Sequence, residues 1–254
     1  MKDFRERTEL HDYLNTGAKL RWKPRGIWLG SGLSTGEILK KPAGWLDENY
    51  DVVVCANSSH EYWHKQAQNC QRARWFWLCP EEGHINQPWY WTVPEYMHKL
   101  ISFTTADEVE AKLAKMYHGE ELARILDTYS HIHLSHNSWN FTPREYNSGL
   151  QHGNDDTTGH LKGTVTAQAI HLLGILGCKE VDMIGCELGF KYDEPVHFYE
   201  KEHDTSAWTV NPHVINEHWY NSAAYIRDEM LPKMAQVGIQ VNILCKSRIT
   251  GDWK

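Results

Sequence analysis

The run from Gly163 to Glu187 constrains the fold more than any other part of this chain. Val165, Ala169, Leu172 and Leu176 recur at i, i+4, i+7 and i+11, which lays one apolar stripe along about three helical turns, and Gly177 supplies a stop. Val181 to Gly185 follows at once as a core strand. The pattern predicts a helix lying flat on a sheet. Its first turn follows Gly163 and carries Thr164 and Thr166, so free backbone N–H groups, hydroxyls and the positive end of the helix dipole could meet an anion there. An ordinary capped helix has the same start.

The other half of the argument lies between Arg25 and Asn57. Gly26 to Leu29 reads as a short strand, Gly30-Ser31-Gly32-Leu33-Ser34 as a turn, and Asp51 to Cys55 as a second buried strand ending in Ala56-Asn57. Glycines just beyond a strand's carboxyl end permit positive φ and close approach of a ligand to the main chain. This is the opening of a Rossmann-like sheet. The dinucleotide pattern G-x-G-x-x-G is not met, because Gly36 comes one residue late, and Asn57 stands where a ribose-binding acid is expected, which disfavours NAD. No G-x-x-x-x-G-K-[ST] occurs, which excludes a P-loop.

Further along, Ser58–Cys70 reads as helix, Ala73–Leu78 as strand, Leu100–Phe103 as a fourth strand, Ala106–Met116 and Glu120–Tyr129 as helices, and Ile239–Leu244 as the last strand. Asn211-Pro212 starts a long helix that Pro232 should kink. Residues 1–24 suit an accessory helix. The expected fold is α/β, Rossmann-like, with a mainly parallel sheet, helices on both faces and a loop-rich lid. It would form a single nucleotide-binding domain over residues 25–254, with lid insertions near 80–100 and 135–163. Trp and Tyr between His84 and His98 would line the acceptor side, or serve simple packing.

The 254 residues carry a formal charge of −7, which gives no footprint for broad nucleic-acid binding and points to a small anionic ligand. No apolar run approaches the ~18 residues of a membrane span, and the charged amino terminus is unlike a signal peptide, so a cytoplasmic location is expected. The six cysteines form no C-x-x-C pair and read as reduced core thiols. His131 and His133 would share one strand face, but their spacing is not that of a zinc site, and no metal ligands are assigned. Asp155-Asp156 could help place Mg²⁺ on a diphosphate, though no cofactor is required. Nothing in the chain specifies the oligomeric state, and a homo-oligomer is compatible with it.

Gly30-Ser31-Gly32-Leu33-Ser34, then Cys55-Ala56-Asn57, then Leu176 to Val181 running into Gly185-Cys186-Glu187, then a His before a final helix and strand, occur in an order that resembles the bacterial sialyltransferases of glycosyltransferase family 42. The archaeal 6-hydroxymethylpterin diphosphokinase (MptE-like) family shares this frame. The resemblance covers most of residues 25–247 through short motifs. It implies a nucleotide held by Gly30, Ser31, Gly32 and Asn57, a phosphate-side turn at Gly163 and Thr164, and a catalytic base at His218, with His213 second. The family's Tyr pair is not reproduced: Gly189 stands in the first place and only Tyr192 lies nearby. No Pro follows Gly32. Both departures count against a sialic acid donor.

The expected function is therefore transfer of a sugar from a nucleotide-activated donor, CMP-linked on the family pattern, to an acceptor hydroxyl. Glu187, at the carboxyl edge of its strand, would hold a ribose or an acceptor hydroxyl, or merely cap its loop. The alternatives are a diphosphokinase or other nucleotide-dependent phosphotransferase, and a non-catalytic nucleotide-binding module.

Overall fold

The computed structural model describes residues 2–4, 9, 12–13, 24–67, 73–79, 87–101, 106–132, 165–189, 197–198 and 212–253. Among the described residues eight strands form one sheet: β1 (Lys2–Phe4), β2 (Arg25–Leu29), β3 (Val52–Ala56), β4 (Arg74–Cys79), β5 (Met97–Ile101), β6 (Tyr129–Ile132), β7 (Glu180–Ile184) and β8 (Gln240–Ile243). Their spatial order is β1-β6-β5-β4-β3-β2-β7-β8, and each neighbouring pair is parallel. The helices are α1 (Gly36–Leu39), α2 (Trp45–Asn49), α3 (His64–Ala67), α4 (Ala106–Met116), α5 (Gly119–Thr128), α6 (Val165–Ile175), α7 (Pro212–Tyr225) and α8 (Leu231–Gln236). The expected α/β Rossmann-like fold is present.

Period-2 alternation along the central strands divides the core in two. Trp28, Val52, Val54, Phe76, Leu78, Val181 and Met183 face one way, onto α6, α7 and α8. Ile27, Leu29, Val53, Cys55, Trp75, Trp77 and Cys79 face the other way, onto the layer that carries Ile38, Leu46, Trp63, Leu113 and Ile125. Helices therefore cover both faces. Each large apolar side chain so buried contributes about 1.5–3 kcal/mol, which is why strands this short can hold a sheet this wide.

Helix α6 departs from its expected single stripe. It lies across β2, β3 and β4 as the pattern requires. Yet every residue from Thr166 to Ile175 is buried, including Gln168 and His171, and the helix shares one core cluster with Ala223, Ile226, Met230 and Met234. Gly26 lets it come close: a Cβ there would meet Leu173 Cδ2 at 2.5 Å and Cys178 Sγ at 2.8 Å. Gly177 ends the helix at φ +87°, with its N–H donating to Gly174 O at 3.0 Å and the Cys178 N–H to Leu173 O at 3.1 Å, the paired bonds of a Schellman cap.

Other expectations need revising. Within residues 1–24, Lys2–Phe4 forms an edge strand on β6 rather than part of a helix, satisfying backbone groups that an edge leaves open. Ser58–Cys70 begins as a 3₁₀ segment, Asn57–Tyr62, before α3. In the proposed lid at 80–100, Pro88–Thr92 is a 3₁₀ turn and Met97–Ile101 is strand β5, displaced from the expected Leu100–Phe103. Tyr90 there is wholly buried and packs edge-on against Trp77 at 5.2 Å, so it serves the core and not an open acceptor face. The segment 135–163 and Asp155-Asp156 lie outside the described residues. Pro232, where a kink was expected, lies in the first turn of α8, directly after a π turn at Ile226–Met230. Proline has no N–H for the carbonyl four residues back, and a wider turn relieves that mismatch.

Candidate active site

Strand order creates the site. From β2 the chain builds outward through β3, β4, β5 and β6, then returns through α6 to place β7 on the other side of β2. The carboxyl ends of β2 and β7 thus flank the topological switch point, where open parallel sheets bind ligands. The glycine turn leaves the end of β2, and Gly185-Cys186-Glu187 leaves the end of β7.

These two segments are stitched together. The Gly30 N–H donates to Ile184 O at 2.9 Å and the Gly32 N–H to Gly185 O at 3.1 Å. The Gly185 N–H donates to Ser34 Oγ at 2.9 Å, and the Thr35 hydroxyl to Gly30 O at 2.7 Å. Gly30 must be glycine, since a Cβ there would collide with the backbone carbonyl of Gly185. Gly185 holds φ +70° and is equally crowded, by Thr35 Oγ1 and the Gly30 carbonyl.

Glu187 closes the turn from above. Its Oε1 accepts the Ser34 N–H at 2.8 Å, and a Cβ on Gly32 would collide with its Oε2. The side chain is only 7% exposed, and Oε2 has no hydrogen-bond partner. The main-chain amides of Gly30, Gly32, Ser34 and Thr35 are thus already engaged, the last by Gly32 O at 3.1 Å. A carboxylate of the protein itself sits where a ligand was expected to approach the turn, and Gly32 makes room for that carboxylate.

Asn57 flanks the other side of β2, at the end of β3. It takes φ +51°, uncommon outside glycine but tolerated by Asn, and its backbone carbonyl accepts the Trp77 indole N–H at 2.9 Å. Its side-chain Oδ1 is buried without a partner. Three residues on, His60 is wholly buried, with Nε2 at 2.8 Å from Trp89 O. A carbonyl cannot donate, so Nε2 carries the proton and Nδ1 is a lone-pair acceptor, also unpartnered. Burial, with the charges of His64 and Lys99, brings this imidazole down to about 4 against the pull of the Trp89 bond, which keeps it neutral near pH 7. Ser34 and Gly185 stand in the sequence motifs without an assigned role, and His60 is outside them. A hydroxyl pair directly after the glycine turn was the available signal for Ser34 and Thr35, whereas nothing local marked His60.

The remaining expected residues divide as follows. Gly163, Thr164 and Tyr192 lie outside the described residues. His213 and His218 lie in the first two turns of α7, and their side chains are outside the described residues. Both α6 and α7 run antiparallel to the strands, because their chains must return to the opposite edge, where the Lys179 N–H donates to Pro24 O at 2.8 Å and the Gln240 N–H to Lys179 O at 2.9 Å. Their amino-terminal ends therefore point toward the same rim as the glycine turn. One further contact falls on the turn: the Phe198 N–H donates to Ser31 O at 3.0 Å, and its ring packs against Tyr62 and Trp63. Among the described residues, no group of three His, Cys, Asp or Glu is arranged to hold a metal, and no helix is long and apolar enough to cross a membrane. No family model, curated protein or solved structure matches the chain.

Proposed function

We propose that the chain is a glycosyltransferase that moves a sugar from a nucleotide-activated donor to an acceptor hydroxyl at the β2–β7 switch point. The observation that carries this reading is the pair of unpartnered buried acceptor oxygens, Glu187 Oε2 and Asn57 Oδ1, on the two sides of the β2 turn. An unsatisfied buried acceptor costs about 1–3 kcal/mol, and a ligand rich in hydroxyl donors removes that cost. Ribose and sugar hydroxyls have that chemistry, whereas a fully ionised phosphate offers only acceptors. The carboxylate therefore favours a sugar moiety beside Glu187, with the phosphate tail directed to the amino-terminal end of α6, where Gly163 and Thr164 precede the helix.

In the reaction a base takes the acceptor hydroxyl proton as its oxygen bonds to the anomeric carbon, and the nucleotide leaves as a phosphate anion. His218 is the proposed base, with His213 next and Tyr192 as a further candidate. A positioned base contributes about 10²–10⁴-fold.

Thermal unfolding with CMP, CDP, UDP, GDP and ATP, each with and without Mg²⁺, tests the reading. A nucleotide at about a hundred times its dissociation constant stabilises by ~2.7 kcal/mol. The expected hit is a pyrimidine nucleotide, its shift reduced in Glu187→Ala. His218→Ala should retain that binding while losing turnover on the matching nucleotide sugar. Stabilisation by ATP with Mg²⁺ alone would instead identify a phosphotransferase, and binding with no transfer from any donor a nucleotide-binding module.

A further inference from the structure

Cys186 and Cys245 leave the ends of β7 and β8, separated by 59 positions in sequence, and their sulfurs stand 3.7 Å apart. Cys186 is wholly buried and Cys245 is half-buried. The two strands are held in register up to the pair Met183 and Ile243, and the Leu244 N–H donates to Met183 O at 2.8 Å, so the thiols approach each other from a fixed frame. Beyond them, the Ser247 hydroxyl donates to Cys186 O and the Arg248 N–H to Glu187 O, which holds the chain after β8 against the chain after β7. Disulfide formation needs the sulfurs to close from 3.7 Å to about 2.05 Å.

We propose that Cys186 and Cys245 are a redox modification site, oxidised by a hydroperoxide to an intramolecular disulfide at the rim of the β2–β7 crevice. The Cys245 thiolate attacks one peroxide oxygen; the O–O bond breaks, one water is released after protonation, and Cys245 becomes a sulfenic acid. The Cys186 sulfur then attacks the Cys245 sulfur. The S–S bond forms as the S–O bond breaks, and the hydroxyl leaves with the Cys186 proton as a second water. Two thiols lose two electrons in all, and one hydroperoxide is reduced.

Exposure and hydrogen bonding assign the order of attack. Cys245 is the more accessible sulfur, and hydrogen bonds from Cys186 and Ser34 hold its thiol below the ordinary range, against the opposing effects of burial and of Glu187. Cys186 is pushed well above that range by its bond to Cys245 and by burial, as suits a resolving thiol. Ser34 links the pair to the crevice, since its amide holds Glu187 and its hydroxyl receives the Gly185 N–H. The inference is independent of which ligand the crevice takes.

The test is peptide mapping of the full chain after exposure to stoichiometric hydrogen peroxide, with free thiols blocked by N-ethylmaleimide. Tryptic cleavage isolates the cysteines in residues 180–191 and 234–246. The expected result is a cross-linked pair of these peptides, two hydrogens lighter than their sum and separated by dithiothreitol. In Cys186→Ser the resolving sulfur is gone, and dimedone should label Cys245. An absent cross-link in the folded wild type, a cross-link to another cysteine, or dimedone labelling of wild type as strong as that of Cys186→Ser would each overturn the proposal.

Discussion

Two glycines in one turn are required for different reasons, and stability measurements can separate them. A Cβ at Gly30 meets the Gly185 backbone, which cannot move without opening the sheet, whereas a Cβ at Gly32 meets the end of the Glu187 side chain. Gly30→Ala should therefore cost about 2–3 kcal/mol or more in urea unfolding. Gly32→Ala should be costly in the wild type and relieved by about 1–2 kcal/mol in a Glu187→Ala background. A Gly32→Ala penalty unchanged by removing Glu187 would show that the carboxylate does not occupy the turn. At His60 the same scale gives a pH dependence. The unfolded imidazole titrates near 6.5 and the folded one at about 4, so below pH 6.5 the unfolded chain takes up a proton that the folded chain refuses. Stability should be fully present above that pH and fall by about 1.4 kcal/mol per unit as pH drops toward 4. Between pH 7 and 5 His60 then accounts for a loss of ~2 kcal/mol. His60→Gln, which keeps a donor for Trp89 O, should remove this limb, and equal pH sensitivity in both proteins would refute the assignment.

Element boundaries followed from local chemistry where that chemistry was strong. The helix Ala106–Met116 and the start at Pro212 appear as the spacing and the proline position require. Gly177 is the clearest case, because its left-handed φ ends α6 and nothing lies within 4 Å of a Cβ placed there. Gly177→Ala should thus cost only the backbone term, about 1 kcal/mol, while Gly177→Asn costs less, as a thermal melt would register. A loss of several kcal/mol would mean that the position also packs. Where the chemistry was weak the reading failed. Lys2–Phe4 is a strand because it pairs with β6, and Met97–Ile101 because β4 and β6 pair with it on either side, and neither segment alone alternates strongly enough to announce itself.

Across the whole molecule, the two edges of the sheet hold different kinds of polar group. Toward the edge where the strands begin, one buried carboxylate gathers several donors: Asp182, only 4% exposed, accepts the Arg25 guanidinium at 2.7 Å, the Tyr50 hydroxyl at 2.8 Å and the Asn242 amide at 2.8 Å. This carboxylate ties β2, β7 and β8 to the chain entering β3, and its bond and charge, with burial, hold the Tyr50 phenol up. Asp182→Ala should destabilise by ~3 kcal/mol, measured by urea unfolding, with ligand binding at the far rim retained in the folded fraction. At the carboxyl edge, Glu187 Oε2, Asn57 Oδ1 and His60 Nδ1 are left without donors. These three unmet acceptors gather at the rim where open parallel sheets bind ligands, which favours chemistry there.

Taken alone, the sequence determined the α/β class, the glycine turn, the strand that ends at Asn57 and the helix from Val165 to Gly177, because each rests on periodicity or on a backbone preference that neighbouring residues set. It also brought Gly30, Ser31, Gly32, Asn57 and Glu187 forward as candidates. Tertiary structure alone decided that Glu187 fills the turn, that Tyr90 is core, that α6 is buried all round and that Cys186 meets Cys245. Those contacts join residues from 59 to more than 150 positions apart or depend on which elements cover a face. Strand order creates them, and no local run of side chains encodes strand order.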